Sequence, residues 1–322
     1  MKSLLAAAAV IVIVLLALVS LFIGVGDVSW AALFSPSPDE RALQLLVISR
    51  IPRLLAVMLV GTSLGVAGLL MQMLARNRFV EPATAGSAES ASLGVLAATA
   101  LAPQLPVLGK MLVAACFALA GTALFLLILR RIPLRSVLIV PLVGLVLGSV
   151  FDSVTTFVAY RFDLLQSVNA WKTGDFSTVL RGRYELLWVT LGLTLGAYVA
   201  ADRFTVAGMG EAFTTSLGLR YSRIVALGLV IVSLVTAMVV VTVGMVPFLG
   251  LLVPNVVSLF MGDNARRSIP WVAVGGAGFV LLCDVLGRVV RFPYEIPGAT
   301  IAGVIGSVLF LFLLLRRDAR VG

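Results

Sequence analysis

The sequence predicts an all-α integral membrane protein, a polytopic bundle of about ten transmembrane helices in a single transmembrane domain that covers residues 1–322. Hydrophobic residues make up 61% of the chain and charged residues 12%, whereas soluble domains carry roughly 25% charged residues. The mean hydropathy is +1.13. The apolar runs are also continuous rather than alternating, as membrane-spanning helices require.

Ten apolar runs are separated by polar or proline-containing connections. The first is longer than the apolar core of a signal peptide, so we interpret it as a retained span. Residues 25–49 are predicted to form a loop followed by a short amphipathic segment. An even number of spans places both termini on one side of the membrane. We predict that this side is the cytoplasm, because 14 of the 24 Lys and Arg residues then lie inside. The predicted spans are residues 4–24, 54–75, 84–102, 111–129, 136–158, 185–201, 224–243, 251–262, 270–287 and 299–315.

The composition excludes several classes of function. The chain has no histidine, and its two cysteines, Cys116 and Cys283, lie inside apolar runs as small buried side chains. It has no P-loop, no nucleophile elbow and no cluster with metal-ligand spacing. The net charge of +9 is interpreted as membrane-edge anchors, since no basic run with interleaved aromatic residues indicates nucleic acid. We therefore predict no catalytic residue, no cofactor and no metal site.

Few acidic residues are predicted at membrane depth. Asp284 and Arg288 are four residues apart on one helix face and are expected to pair. Asp152 and Glu89 are the other candidates, and for Asp152 a role at the mouth of a pathway and a role in a proton relay both stay open. An ion-coupled secondary transporter is therefore an alternative function, although such transporters concentrate several acidic groups near the midplane.

Pairs of glycines at four-residue spacing predict close helix packing, because small residues let helix backbones approach each other in lipid. Three such pairs occur, namely Gly61 and Gly65, Gly144 and Gly148, and Gly192 and Gly196.

An ordered set of motifs resembles the permease family of ABC importers for iron–siderophore chelates, haem and cobalamin. The resemblance covers nearly the whole chain from Arg50 onward. The matching segments are Arg50-Ile51-Pro52-Arg53, Gly68 with Gln72, Arg76-Asn77, Glu81-Pro82, Leu93-Gly94, Ala212 with Leu217-Gly218, residues 244–251 with Pro247 and Pro254, and Asp284 with Arg288, Glu295, Pro297 and Gly298.

The resemblance implies a permease subunit, itself not an enzyme, of an ATP-driven importer in the bacterial cytoplasmic membrane. Many family members have Asn-Pro where this chain has Asn77-Arg78, and Pro-His where it has Pro254-Asn255. The Pro-Asn form resembles a subset that serves ferric siderophores, often catecholates, so this substrate is expected; a cobalamin or haem permease is the alternative. The implied partners are a second permease, identical or paralogous, two ATPase subunits and an extracytoplasmic substrate-binding protein.

The resemblance also implies where two of these partners bind. Arg50, Arg53 and Arg288 match arginines that grip carboxylates of the binding protein. Arg50 and Arg53 flank Pro52 at a predicted helix start and can point outward together, where guanidinium groups form bidentate bonds to carboxylates. The alternative is that they are snorkelling membrane anchors.

On the cytoplasmic side, residues 211–219 are expected to form a short helix that docks on the ATPase, the alternative being an ordinary loop. The residues assigned to this coupling are Glu211, Ala212, Thr215, Ser216, Leu217 and Gly218. The residues assigned to the pathway or to structural motifs are Gln72, Asn77, Glu81, Pro82, Pro247, Pro254, Asn255, Glu295, Pro297 and Gly298.

Overall fold

A computed structural model describes residues 2–24, 40–132 and 139–318, and in these ranges the chain is helical with no strand. The helices, numbered here in chain order, are α1 (Lys2–Phe22), α2 (Glu40–Leu74), α3 (Ser87–Leu101), α4 (Val107–Arg131), α5 (Ile139–Arg161), α6 (Leu165–Lys172), α7 (Leu187–Val199), α8 (Ala201–Gly208), α9 (Glu211–Ser216), α10 (Tyr221–Thr242), α11 (Leu249–Met261), α12 (Ala265–Val289) and α13 (Gly298–Asp318).

The predicted bundle of about ten spanning helices is confirmed. All helices except the short α6, α8 and α9 fall on the ten predicted apolar runs. Five of them, α2, α4, α5, α10 and α12, are long and apolar enough to cross a membrane by themselves. The others are shorter, so α3, α7 and α11 do not reach the full thickness as straight helices.

The start of α2 differs from the prediction. We expected the span to begin near Leu54, after a loop and a separate short amphipathic segment, but helix is continuous from Glu40, with one π-helical turn at Leu46–Arg50. Residues 25–39 lie outside the described ranges. Pro52 is therefore inside a helix and has no N–H for the carbonyl of Ile48, four residues earlier. That carbonyl instead accepts the backbone N–H of Arg181 at 2.9 Å, so it has a donor although the proline supplies none.

Helix α2 is the centre of the bundle and packs on α7, α10, α11 and α12. Its contact with α12 places Gly61 directly against Gly276, and a Cβ added to either glycine would overlap the backbone of the other helix. Gly68 approaches Gly250 of α11 in the same way. Because lipid offers apolar side chains no hydrophobic gain from burial against each other, such close backbone packing is a main source of helix association.

The glycine-spacing rule holds for two pairs and is wrong for the third. Gly61 of α2 lies against the backbone of Gly276, and Gly144 of α5 lies against the backbone of Thr84. For Gly192 and Gly196 of α7, no described atom lies within 4 Å of an added Cβ. These two glycines lie on the side of α7 that faces away from the described bundle, which spacing alone does not reveal.

Two ends of the bundle matter below. The Arg53 face comprises the start of the apolar part of α2, the end of α1, segment 162–186, the end of α12 and segment 290–297. The Arg78 face comprises segment 75–80, the end of α4, the segment that runs from α8 to Arg220, and the α11–α12 connection.

The glycine contact at the centre gives a direct stability test. Gly61→Ala should lower the thermal midpoint in detergent, because its Cβ would lie 2.7 Å from the Cα of Ala277, and overpacking of this kind costs about 1–3 kcal/mol. Gly192→Ala is the matched control and should leave the midpoint unchanged or raise it slightly, since nothing opposes its Cβ and alanine favours helix. Equal midpoints for the two variants would refute the central role of this contact.

Candidate functional site

The Arg53 face is built on a buried carboxylate, Asp284 of α12, whose side chain is fully buried. Arg53 of α2 approaches one of its oxygens, with Nε and Nη2 at 3.1 and 2.8 Å from Oδ1. The third nitrogen of Arg53, Nη1, lies 2.6 Å from Oε2 of Glu295. Arg53 therefore joins α2 to α12 and to segment 290–297 with all three of its guanidinium nitrogens.

Arg288 completes this network one helical turn after Asp284. Its Nη2 bonds to Oδ2 of Asp284 and lies 3.0 Å from the hydroxyl of Ser20. Its Nη1 donates to the backbone carbonyls of Ser20 and Ile23 at 2.8 and 3.2 Å. Because α1 ends beside these residues, Arg288 connects α1 to α12, and Asp284 is shared by two arginines.

The predicted pairing of Asp284 with Arg288 is confirmed, whereas the expected outward orientation of Arg50 and Arg53 is not observed. Arg50 is 9% exposed, Arg53 8% and Arg288 2%, and Arg50 donates to the carbonyl of Ile23. The physical reason is that α2 extends before Arg50, so neither residue is at a free helix start. Three guanidinium groups against two carboxylates leave this cluster with one surplus positive charge.

A second group of motif residues holds the start of α11 beside α2. Pro254 lies inside α11 and cannot donate to the carbonyl of Gly250, four residues earlier. The side-chain amide of Gln72 donates to that carbonyl at 3.2 Å. Gln72, from the neighbouring helix, thus supplies the hydrogen-bond donor that Pro254 lacks. These two residues therefore share one structural role.

Glu81 holds the N-terminus of the same helix. Its Oε1 accepts the backbone N–H of Phe248 at 2.9 Å, and its Oε2 accepts that of Leu251 at 3.0 Å. A carboxylate at this position satisfies N–H groups that have no partner within the helix and interacts favourably with the helix dipole. Phe248 has a left-handed backbone, φ 63°, so the chain turns sharply into α11 at the point that Glu81 binds.

The remaining motif residues shape the connections around these two groups. Asn77 accepts the N–H of Phe79 at 2.8 Å, and Asn255 donates to the carbonyl of Arg78 at 2.7 Å, so the two asparagines fix segment 75–80. The Gly298 Cα lies so close to α12 that an added Cβ would be 3.3 Å from the Cα of Asp284. The three prolines lie at element boundaries: Pro82 before α3, Pro247 before α11 and Pro297 before α13.

The predicted coupling segment is the short helix α9, which protrudes from the Arg78 face. Thr214 is its buried anchor and donates to the carbonyls of Gly210 and Val206 at 2.7 and 3.2 Å. Gly218 follows with φ 75° and no described atom near an added Cβ. All six residues assigned to coupling are exposed: Glu211, Ala212, Thr215, Ser216, Leu217 and Gly218.

Two residues at these sites were not identified from the sequence. Ser20 contacts Arg288, and it is the one polar residue in the apolar run 4–24, a signal that could have indicated it. Phe213 of α9 is 47% exposed beside Leu217, which is 55% exposed; aromatic residues are enriched at protein interfaces. Asp152, whose role was left open, pairs with Lys172 of α6 at 2.5 Å.

Comparison with known proteins identifies the family. A model of the FecCD transport family matches residues 11–316. The petrobactin import system permease protein YclN of Bacillus subtilis is 51% identical over 309 residues, which cover 96% of this chain and 97% of that protein. The ferric-anguibactin transport system permease protein FatD of Vibrio anguillarum is 41% identical, with 92% and 94% covered.

A solved chain of a metal-chelate type ABC transporter in an inward-facing conformation has a TM-score of 0.81, with 24% identity and coverage of 98% of this chain and 100% of that one. At this identity the likeness shows a shared fold. Together with the nearly complete family match, it leads to one conclusion: the chain belongs to the FecCD transport family and is a membrane-spanning, non-enzymatic permease subunit of an ABC transporter.

Proposed function

We propose that this chain is the permease subunit of an ATP-driven importer that moves a ferric siderophore across the bacterial cytoplasmic membrane. The observation that carries the proposal is the 41–51% identity, over more than nine-tenths of the chain, to permeases named for petrobactin and anguibactin import. Petrobactin is in the names of two of these three relatives, so a ferric petrobactin-like chelate, of the catecholate class expected above, is the proposed substrate.

The proposed orientation places the Arg53 face outside the cytoplasm and the Arg78 face, with both termini, inside it. The Arg78 face carries basic residues at the ends of spans, such as Arg130 and Arg131 in the last turn of α4 and Arg266 and Arg267 in the first turn of α12, as the positive-inside rule favours. The proposed pathway lies between this chain and a second permease. Helix α5 offers an apolar surface for this partner, because 28% of its most apolar stretch is buried within the chain.

Docking of the substrate-binding protein is proposed at the Arg53 face. Arg53 is 10% exposed by side chain and Glu295 28%, whereas Asp284 is fully buried. A carboxylate of the binding protein would therefore replace Glu295 as the partner of Arg53 while the bond to Asp284 persists. The surplus positive charge of the cluster, which also contains Arg50 and Arg288, favours an incoming carboxylate.

The function is tested in proteoliposomes with the second permease, the ATPase subunits and the binding protein. Ferric petrobactin is expected to be taken up only with ATP, and excess cobalamin or haem is expected not to compete. Competition by cobalamin or haem would instead support the alternative substrates of the family. Uptake driven by a proton gradient without ATP would support an ion-coupled transporter and contradict the proposal.

The same preparation tests docking through the ATPase activity that loaded binding protein stimulates. Arg50→Gln should raise the binding-protein concentration for half-maximal stimulation by at least about tenfold, because it removes the surplus positive charge of the cluster, and the loss of one interaction with a charged group costs roughly 1.5–3 kcal/mol. Activity without binding protein should not change. Arg130→Gln at the opposite end is the control, and an equal response of both variants would reject docking at the Arg53 face.

Coupling to the ATPase is proposed through α9, because Phe213 is exposed there, while Thr214 is the one α9 residue that is buried against the described part of the chain. An ATPase that closes on ATP would then move α9 as a lever.

Phe213→Gln combined with Leu217→Gln should abolish co-purification of the ATPase and leave the thermal midpoint of the permease unchanged, since both side chains are exposed. Leu101→Gln, at a residue that is 77% exposed at the other end of the bundle, is the matched control and should retain the ATPase. Normal assembly of the double variant would exclude α9 as the coupling element.

A further inference from the structure

A cleft of about 660 Å³ opens on the Arg53 face, outside both groups of residues described above. It lies between the end of α3, the start of α4 and the end of α10, and segment 173–186 forms one of its walls. Pockets of about 300–1,000 Å³ hold ligands of the size of a drug or a small cofactor. The cleft is thus large enough for one organic ligand of several hundred daltons.

The cleft has an apolar part and a cationic part. Val95 and Val240 line the apolar part, and Trp171 of α6 adds an aromatic surface. Lys110 and Arg183 contribute positive charge from two different elements, α4 and segment 173–186. Within the described ranges, neither of these two cations forms an ion pair, in contrast to Arg53, Arg78, Lys172, Arg266 and Arg288.

Two carboxylates also line the cleft, but both are engaged by their own segment. Asp175 accepts the backbone N–H and the hydroxyl of Ser177 at 2.8 and 2.7 Å. Glu185 accepts the backbone N–H of Gly182 at 2.7 Å. These hydrogen bonds occupy acceptor positions of both carboxylates, whereas Lys110 and Arg183 keep their donors available for the acidic groups of a ligand.

We propose that this cleft binds an anionic ligand with an apolar or aromatic body, and that its occupant is the ferric chelate as it enters from the Arg53 face. The inference rests on the proposed function for the identity of the chelate. Lys110 and Arg183 bind the acidic groups of the ligand, and Trp171 and the valines contact its body. The cleft is distinct from the buried cluster of Arg53, because none of the cluster's residues line it.

The experiment measures binding of ferric petrobactin to the nucleotide-free complex of permeases and ATPases in phosphatidylcholine nanodiscs, without binding protein. Retention of radioactive iron gives the Kd, and quenching of tryptophan fluorescence that disappears in Trp171→Phe places the ligand in the cleft. Lys110→Gln combined with Arg183→Gln should raise the Kd at least about tenfold, which corresponds to about 1.4 kcal/mol. The control is Arg181→Gln, a nearby exposed arginine that does not line the cleft.

A double variant with the Kd of the control would overturn the proposal, as would quenching that persists in Trp171→Phe. Phosphatidylglycerol that co-purifies with the wild type and is lost in the double variant, together with no binding of ferric petrobactin in phosphatidylcholine nanodiscs, would assign the cleft to a lipid headgroup and reject the chelate as its occupant. Failure of the proposed function would look different, since ATP-dependent uptake would then be absent from the wild-type system with its binding protein.

Discussion

The Arg53 face depends on one carboxylate shared by two arginines. Burial of a charge is costly unless it is paired and hydrogen-bonded, and Asp284 meets this condition by binding Arg53 and Arg288 with different oxygens. Through these two arginines it joins α2 and α12 to α1 and to Glu295. This network therefore fixes the helices of the Arg53 face relative to each other. Removal of the Asp284 carboxylate would leave two guanidinium groups without their main partner.

A second constraint is the backbone donor that is missing at each proline inside a helix. Pro52 and Pro254 each leave a carbonyl without its helical donor, and each carbonyl receives a hydrogen bond from another element, from the Arg181 backbone and from the Gln72 amide. The carbonyl that Pro52 leaves without a donor thus links α2 to segment 173–186, and the carbonyl that Pro254 leaves without a donor links α11 to α2. Gln72 and Pro254, which belong to separate motifs in the sequence, therefore form the two sides of one contact.

The sequence predicted the number and position of the apolar helices well, because the length of an apolar run directly reflects the thickness that a span must cross. It did not predict that α2 starts at Glu40, since residues 40–50 are amphipathic and a proline follows them. The pairing of Asp284 with Arg288 was predictable because both lie on one helix. The contacts of Arg53 with Asp284 and Glu295 were not, because they join residues 231 and 242 positions apart. The exposure of Phe213 was not predictable either, because it depends on the direction in which α9 leaves the bundle.

The central role of Asp284 is tested most directly by comparing its loss with that of Glu295. The free energy of unfolding in detergent should fall by about 3–5 kcal/mol in Asp284→Asn, since two buried guanidinium groups lose their carboxylate. Glu295→Gln should cost less than about 1 kcal/mol, because this partner is partly exposed and Arg53 keeps Asp284. A small loss for Asp284→Asn, or equal losses for the two variants, would contradict the conclusion that this carboxylate organises the Arg53 face.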